Sequence, residues 1–353
     1  MQKFKFTAFL ILITFSINYS CTMNKKVDSY IINPKLSVIK EGWKGNPMIG
    51  KSFTNDSTIE RYSFFQILKW KFSKNPQKQE KKNDTFRVET INTTDFVSSS
   101  KNMIVWLGHA SFFIRINGVT ILTDPCYGNM LFQKRLAKIP CKTDEIKGID
   151  YVLISHNHRD HFDLNSLKDI YKSNPEAKAL LPLKGGDVIK NITKNYEDAG
   201  WYQQFNTNSK IKIYFLPAKH WSRRGLFDFN KVLWGSFIIQ SDSTTIYFAG
   251  DTSFGEHFEE ISKLFPKIDY ALIPVGAYKP PYIMKRAHIS PNEAIDAAKI
   301  LKPTHFIPMH YGTYDLSDEP IGEPIRTLKT IQEQGEYVGQ IDFLKIGQEL
   351  LIK

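Results

Sequence analysis

The sequence predicts an α/β (α+β) fold over residues 101–353, preceded by a basic extension over 21–100 and a leader over 1–20. Three observations carry this. Beyond Met103 the chain breaks into short apolar runs of strand length, several apolar at every position, as in strands buried on both faces. Stretches of helical period alternate with these runs. The 353 residues, 42% hydrophobic and 13% aromatic, supply a sizeable core, which excludes a disordered chain.

In the leader, Lys3 and Lys5 precede the largely apolar stretch Phe6 to Ile17, and small and polar residues lead to Cys21. That order is a secretory signal's, and the apolar run is shorter than the ~20 residues of a membrane-crossing helix. A Cys at the end of the leader predicts a bacterial lipoprotein acylated on Cys21, exported and anchored at the periplasmic face or outer membrane. Asn18 stands where such signals carry an aliphatic residue, and a secreted or periplasmic protein is the alternative. Cys126 and Cys141 remain, fifteen positions apart, which leaves a short disulfide loop and two buried thiols both open. Neither has the close spacing of a cysteine zinc site.

In the extension, residues 22–101 hold 15 Lys or Arg against 8 Asp or Glu, so most of the formal net charge of +11 lies near the N-terminus. Such charge fits an anionic membrane surface or a solvated lysine-rich face, and it is not arranged as a nucleic-acid motif. The Lys- and Asn-rich stretch Ser73 to Asp84 predicts irregular structure. Gly42 to Pro47 and the cluster Phe64, Phe65, Leu68 and Trp70 carry aromatic mass that must pack.

In the domain, strands are predicted at Met103 to Leu107, Ser111 to Ile116, Val119 to Thr123, Tyr151 to Ser155, Ala179 to Pro182, Ile211 to Leu216, Leu233 to Gln240 and Thr244 to Ala249. Helical periods fall at Asp163 to Ser173, Phe258 to Phe265, Pro291 to Leu301 and Pro324 to Gln334. The third has the clearest start: Ser290 as N-cap, Pro291 at the first helical position and Glu293 at the capping-box position.

The chemistry concentrates in Ser155-His156-Asn157-His158-Arg159-Asp160-His161, directly after an apolar strand. At a strand end the side-chain period of two sends His156 and His158 to one side, where both imidazoles reach one metal ion. Asp160 and His161, after the turn, face a second. Imidazole with carboxylate suits zinc. Further donors follow later apolar runs: His220 after Phe215 to Lys219, Asp251 after Phe248 to Gly250, and His310 after Phe306 to Met309.

With these residues in place, the sequence resembles the metallo-β-lactamase-fold hydrolases, whose signature is a His-x-His-x-Asp-His loop followed by His, Asp and His on later strand ends. Trp106 to Ala110, Val232 to Ser236, Ala249 to Thr252 and Ile273 to Tyr278 are similar to the N-acyl-phosphatidylethanolamine phospholipase D branch. The resemblance implies a four-layer αββα sandwich with helices outside two sheets. It implies two zinc ions, one held by His156, His158 and His220, the other by Asp160, His161 and His310, with Asp251 bridging. It implies that Asp124 orients a ligand imidazole, that Asp160 and Asp251 serve catalysis, and that His288 protonates the leaving group. Arg223, Arg224 and Tyr278 are implied at the substrate. His109 is not expected to bind metal, and His257 and His305 are assigned to structure or surface.

The implied reaction is hydrolysis of a phospholipid to N-acylethanolamine and phosphatidic acid, with a membrane surface but no nucleic acid as partner and a homo-oligomer allowed. A sugar-phosphate lactonase on the same fold and a non-catalytic metal-binding lipoprotein are the alternatives; β-lactamase and nuclease activity fit the motifs less well. Ala287 departs from the Gln that the animal phospholipase carries before the active-site His, and Lys279 to Arg286 matches only partly, so lipid specificity is the least determined feature.

Overall fold

A computed structural model describes residues 26–55, 64–130 and 133–352; the leader and Cys21 lie outside them. The extension is more regular than expected. Strands β1 (Ser29–Ile31), β3 (Asn46–Ile49) and β4 (Ser52–Phe53) form an antiparallel sheet, and β2 (Ser37–Val38) joins the edge of a larger one. Helices Phe64–Phe72 and Lys78–Asn83 follow, the second inside the stretch expected to be irregular. It is tied down by Lys81, which pairs with Asp315 at 2.5 Å.

The domain opens with β5 (Met103–Gly108), β6 (Ser111–Ile116) and β7 (Val119–Thr123), then β8 (Tyr151–Leu153), β9 (Lys178–Pro182) and β10 (Tyr196–Ala199). These make a seven-stranded sheet ordered β10-β9-β8-β7-β6-β5-β18, where β18 is Glu349–Leu351. The second sheet contains β11 (Gln203–Gln204), β12 (Lys212–Leu216), β13 (Ser236–Gln240), β14 (Thr245–Phe248), β15 (Tyr270–Pro274), β16 (His305–Met309) and β17 (Gln340–Ile341). Its order is β17-β16-β15-β14-β13-β12-β11-β2, parallel from β14 to β17 and antiparallel elsewhere.

Alternation along single strands explains the layers. On β5, Ile104 and Trp106 enter the main core with Phe215 and Phe237 of the other sheet. Met103, Val105 and Leu107 point oppositely, toward Leu167 and Ile170 of the helix Leu164–Ser173. Asp163 caps that helix, accepting from the Ser166 N–H at 3.0 Å. The helices His257–Leu264 and Pro291–Leu301 pack together over the second sheet, the latter starting from the expected Ser290–Glu293 capping box. The result is the four-layer αββα sandwich. No helix among the described residues is long and apolar enough to cross a membrane.

Cys126 and Cys141 are free thiols; Cys126 is buried with its Sγ 3.2 Å from the Tyr314 hydroxyl. Trp106 and Trp234 are buried in the core, yet their indole N–H groups donate to the carbonyls of His109 and Ala218, each at 3.0 Å. The core therefore anchors the loops that carry the site.

One half-buried carboxyl makes stability pH-dependent. Burial pushes Asp198 on β10 up to about 7, whereas an unfolded Asp titrates near ~3.9. As pH rises from about 4 to 7 the unfolded chain ionises first, so the stability this group lends below its unfolded pKa is lost through that window. Asp198→Asn can still accept from the Gly186 N–H, which lies 3.0 Å from Oδ1. Thermal melts are expected to show the variant about 1–3 kcal/mol more stable than wild type at pH 8 and equal to it near pH 4. A wild type that holds its own at pH 8 contradicts this.

Candidate active site

The metal-donor side chains leave the same edge of the two sheets. β5, β7, β8, β12, β14 and β16 all end there, and His109, Asp124, His156, His220, Asp251 and His310 follow their carboxyl ends within four residues. Three of these turn sharply: His109, Asp124 and His310 have φ of 56°, 34° and 62°. Non-glycine residues rarely adopt that conformation, and strain of this kind collects at functional sites. Gly276 lets the turn close, because a Cβ there would overlap the His310 carbonyl oxygen. Gly276→Ala is therefore expected to displace His310, lowering metal content and costing about 2–4 kcal/mol of stability; elemental analysis and a thermal melt check it, and unchanged values contradict it.

Hydrogen bonds at one ring nitrogen aim the other. His220 Nδ1 donates to the Ala287 carbonyl at 2.8 Å, and His161 Nδ1 to Asp124 Oδ2 at 2.7 Å. Ser155 Oγ donates to Asp124 at 2.6 Å and so receives His156 Nδ1–H at 2.9 Å. All three rings thus turn Nε2 inward. His156 Nε2 lies 2.9 Å and His220 Nε2 3.2 Å from His158 Nδ1. Lone pairs at that separation repel unless a proton on His158 Nδ1 or a cation lies among them, and donors about 2.0–2.1 Å from one tetrahedral ion stand roughly 3.3 Å apart.

The second set is adjacent. Asp251 reaches His161 Nε2 with Oδ2 and His310 Nε2 with Oδ1, both at 3.2 Å, and its Oδ2 lies 4.0 and 3.9 Å from His156 and His220. Asp160 Oδ2 is 3.5 Å from His161 and 3.6 Å from His310. His161 Nε2, both nitrogens of His310 and Asp251 Oδ1 are buried without hydrogen-bond partners. Two four-residue groups able to hold a metal result: His156, His158, His220 and Asp251, and His109, Asp160, His161 and His310.

The two sets differ electrostatically. Burial first, and then the crowding of neighbouring imidazoles, drives His156 and His220 well below the usual histidine range and His158 down to about 4, so the first set presents neutral imidazoles. In the second, burial opposes charge but Asp251 and Asp160 prevail, holding His161 well up and His310 up to about 9. Those imidazoles in turn keep both carboxyls well below the carboxylate range despite burial. Metal entering there must release protons.

A cleft of about 490 Å³ opens onto this cluster, with His158, Asp160, Asp251 and His288 at its polar end. Ile67 and Trp70 of the extension, with Ile283, Met284 and Leu316, line it with apolar surface. His288 Nδ1 is 3.8 Å from Asp251 Oδ2, and burial holds the ring down to about 4. Arg223 is exposed on the lining, and Arg224 lines the cleft too while donating to the Phe162 carbonyl at 2.6 Å. Tyr278, expected at the substrate, directs its hydroxyl to Glu323, and its neighbour Ala277 lines the cleft instead.

Two contributors were not foreseen. Arg159 is exposed on the lining, as its place inside the metal loop hints. His109 Nε2 lies 3.0 Å from Asp160 Oδ2, and its main chain is fixed by Thr313 Oγ1 at 2.8 Å. His257 and His305 stay structural, contacting Thr252 and Asp342.

Paired sheets flanked by helices, with His and Asp donors gathered at one sheet edge, define a metallo-β-lactamase-fold, metal-dependent hydrolase, and the chain belongs to the β-lactamase superfamily: its "Beta-lactamase superfamily domain" matches residues 119–311. Within that superfamily it is similar to N-acyl-phosphatidylethanolamine-hydrolyzing phospholipase D 1 of Caenorhabditis elegans, 32% identical over 279 residues, 74% of this chain and 78% of that one. It is 34% identical over 245 residues to the mitochondrial N-acyl-phosphatidylethanolamine-hydrolyzing phospholipase D of Saccharomyces cerevisiae, covering 66% of this chain and 52% of the yeast protein, about half its length. In fold it is similar to Igni18, a metallo hydrolase from Ignicoccus hospitalis, with TM-score 0.55 and 21% identity over 72% of this chain and 99% of the other.

Proposed function

We propose that the protein is a zinc-dependent phosphodiesterase that cleaves N-acylated phosphatidylethanolamine in the manner of a phospholipase D, releasing N-acylethanolamine and phosphatidic acid. One observation carries the reading: a single cleft joins the unpartnered His and Asp donors to apolar walls and to Arg159 and Arg223. An anionic diester between apolar chains needs that combination. The similarity to the worm and yeast phospholipases supports it.

The donor sets suit two zinc ions, one on His156, His158 and His220, one on Asp160, His161 and His310, with Asp251 facing both. Bound zinc would supply Lewis acidity, making water nucleophilic at neutral pH and offsetting charge on the phosphoryl oxygens. The chain's own groups do the rest. Asp124, through Ser155 and His161, holds ligand rings in register, and His109 does the same for Asp160. Arg159 and Arg223, both on the cleft lining, would pair with the phosphodiester. His288 starts neutral, so it can take a proton at Nδ1 and return it to the departing alkoxide. With Cys21 as anchor and the basic extension against anionic lipid, the enzyme would work on the membrane holding its substrate.

Purified protein of known zinc content, incubated with micelles of N-acyl-phosphatidylethanolamine, is expected to release both products, and His158→Ala to release neither. A zinc-loaded protein that releases neither product sinks the substrate assignment, and other phosphodiesters and lactones become the next panel.

A further inference from the structure

Five of the twelve large apolar side chains that stand exposed among the described residues gather around the cleft. Ile67 and Phe72 lie on the helix Phe64–Phe72, 39% and 85% exposed; Leu226 and Phe227 follow the Arg223–Arg224 pair, 77% and 86% exposed; Tyr282, on the helix Pro281–Met284, is 48% exposed. The three segments are neighbours, because Ile67, Gly225 and Ile283 line one cleft and the two helices touch. Scattered single apolar residues on a surface need no explanation, but large ones clustered on three segments around a site mark an interaction surface.

The companions of these residues are basic. Lys69 and Lys71 on the first helix, Arg159 and Arg223 beside the loop, and Lys285 after the last helix are all exposed. Asp228, the acidic residue of the loop, is turned back to accept from the N–H groups of Arg224 at 3.0 Å and Gly225 at 2.8 Å. Exposed aromatic and aliphatic tips among lysines and arginines match the boundary between headgroups and acyl chains, where apolar tips insert and cations stay with anionic headgroups.

We infer that the cleft mouth itself docks on an anionic lipid bilayer, with Phe72, Leu226, Phe227 and Tyr282 entering the interface and Lys69, Lys71 and Arg223 resting on the headgroups. Docking there orients the cleft toward lipid, which a flexible anchor at the N-terminus does not do. The inference concerns how the protein sits on a membrane, so it stands or falls separately from which lipid is hydrolysed.

The test reads the depth of a nitroxide on substrate-free vesicles. Labels are placed at Phe227→Cys and Leu226→Cys, and at Val338→Cys as reference, in a Cys21→Ser, Cys141→Ser background. Val338 is fully exposed just before β17, at the opposite edge of the sheet from His310. With Cys21 replaced, no acyl chain on that residue contributes to the burial of any label. On mixed phosphatidylcholine and phosphatidylglycerol vesicles, labels at 226 and 227 are expected to gain contact with lipid-soluble oxygen and lose contact with a water-soluble nickel complex, while the label at 338 stays open to nickel. Lys69→Glu with Lys71→Glu is expected to return the loop labels to water. Loop labels as open to nickel as the reference would overturn the inference, and equal burial on phosphatidylcholine alone would overturn the anionic surface it names.

Discussion

Asp251→Ala is expected to leave a folded protein that no longer retains its metal, with kcat/KM lower by about 10³-fold or more. The size of the effect follows from position. Asp251 is buried, and its two oxygens face His161 and His310 at 3.2 Å while Oδ2 also stands 4.0 Å from His156. No other side chain faces both donor sets in this way among the described residues, so its loss weakens both. Metal analysis beside activity checks the prediction; a variant that keeps both metal and turnover contradicts it.

Asp124→Ala is expected to weaken metal binding about 10- to 100-fold and to cost about 2–4 kcal/mol of stability. Asp124 touches no substrate. It accepts from the Ser155 N–H at 2.7 Å, the Ser155 hydroxyl at 2.6 Å and His161 Nδ1 at 2.7 Å, all buried. Alanine leaves three donors without an acceptor, each at a desolvation cost of about 1–3 kcal/mol less what local relaxation recovers. It also frees two ligand rings to turn, because His156 is held through Ser155. Competition with a chelator and a denaturant titration measure the two effects; tight metal binding in a destabilised variant would assign Asp124 to folding alone.

Local signals made much of this legible in the sequence. The helix Pro291–Leu301 was readable to the residue because Ser290, Pro291 and Glu293 specify its start by contacts within one turn. The strands Ser111–Ile116 and Val119–Thr123 were equally clear, divided by Asn117-Gly118, both with positive φ. The His156–His161 loop was legible because alternation at a strand end is itself local. What the sequence hid depends on distant partners. β2 is only two residues long and forms by pairing with β11. The strand expected at Tyr151 to Ser155 ends at Leu153, because Ser155 turns to Asp124. The resemblance implies both Arg224 and Tyr278 at the substrate; Arg224 lines the cleft while held by the Phe162 carbonyl, whereas the Tyr278 hydroxyl turns to Glu323. His109 reaches Asp160 across 51 positions, a contact no spacing rule contains.

Hydrolysis in water enriched with oxygen-18 tests the central claim most directly. If the site activates water for attack on phosphorus, mass spectrometry will find the label in the phosphate of phosphatidic acid and none in the N-acylethanolamine, with both signals lost in Asp251→Ala. Label in the N-acylethanolamine, or diacylglycerol in place of phosphatidic acid, would contradict it.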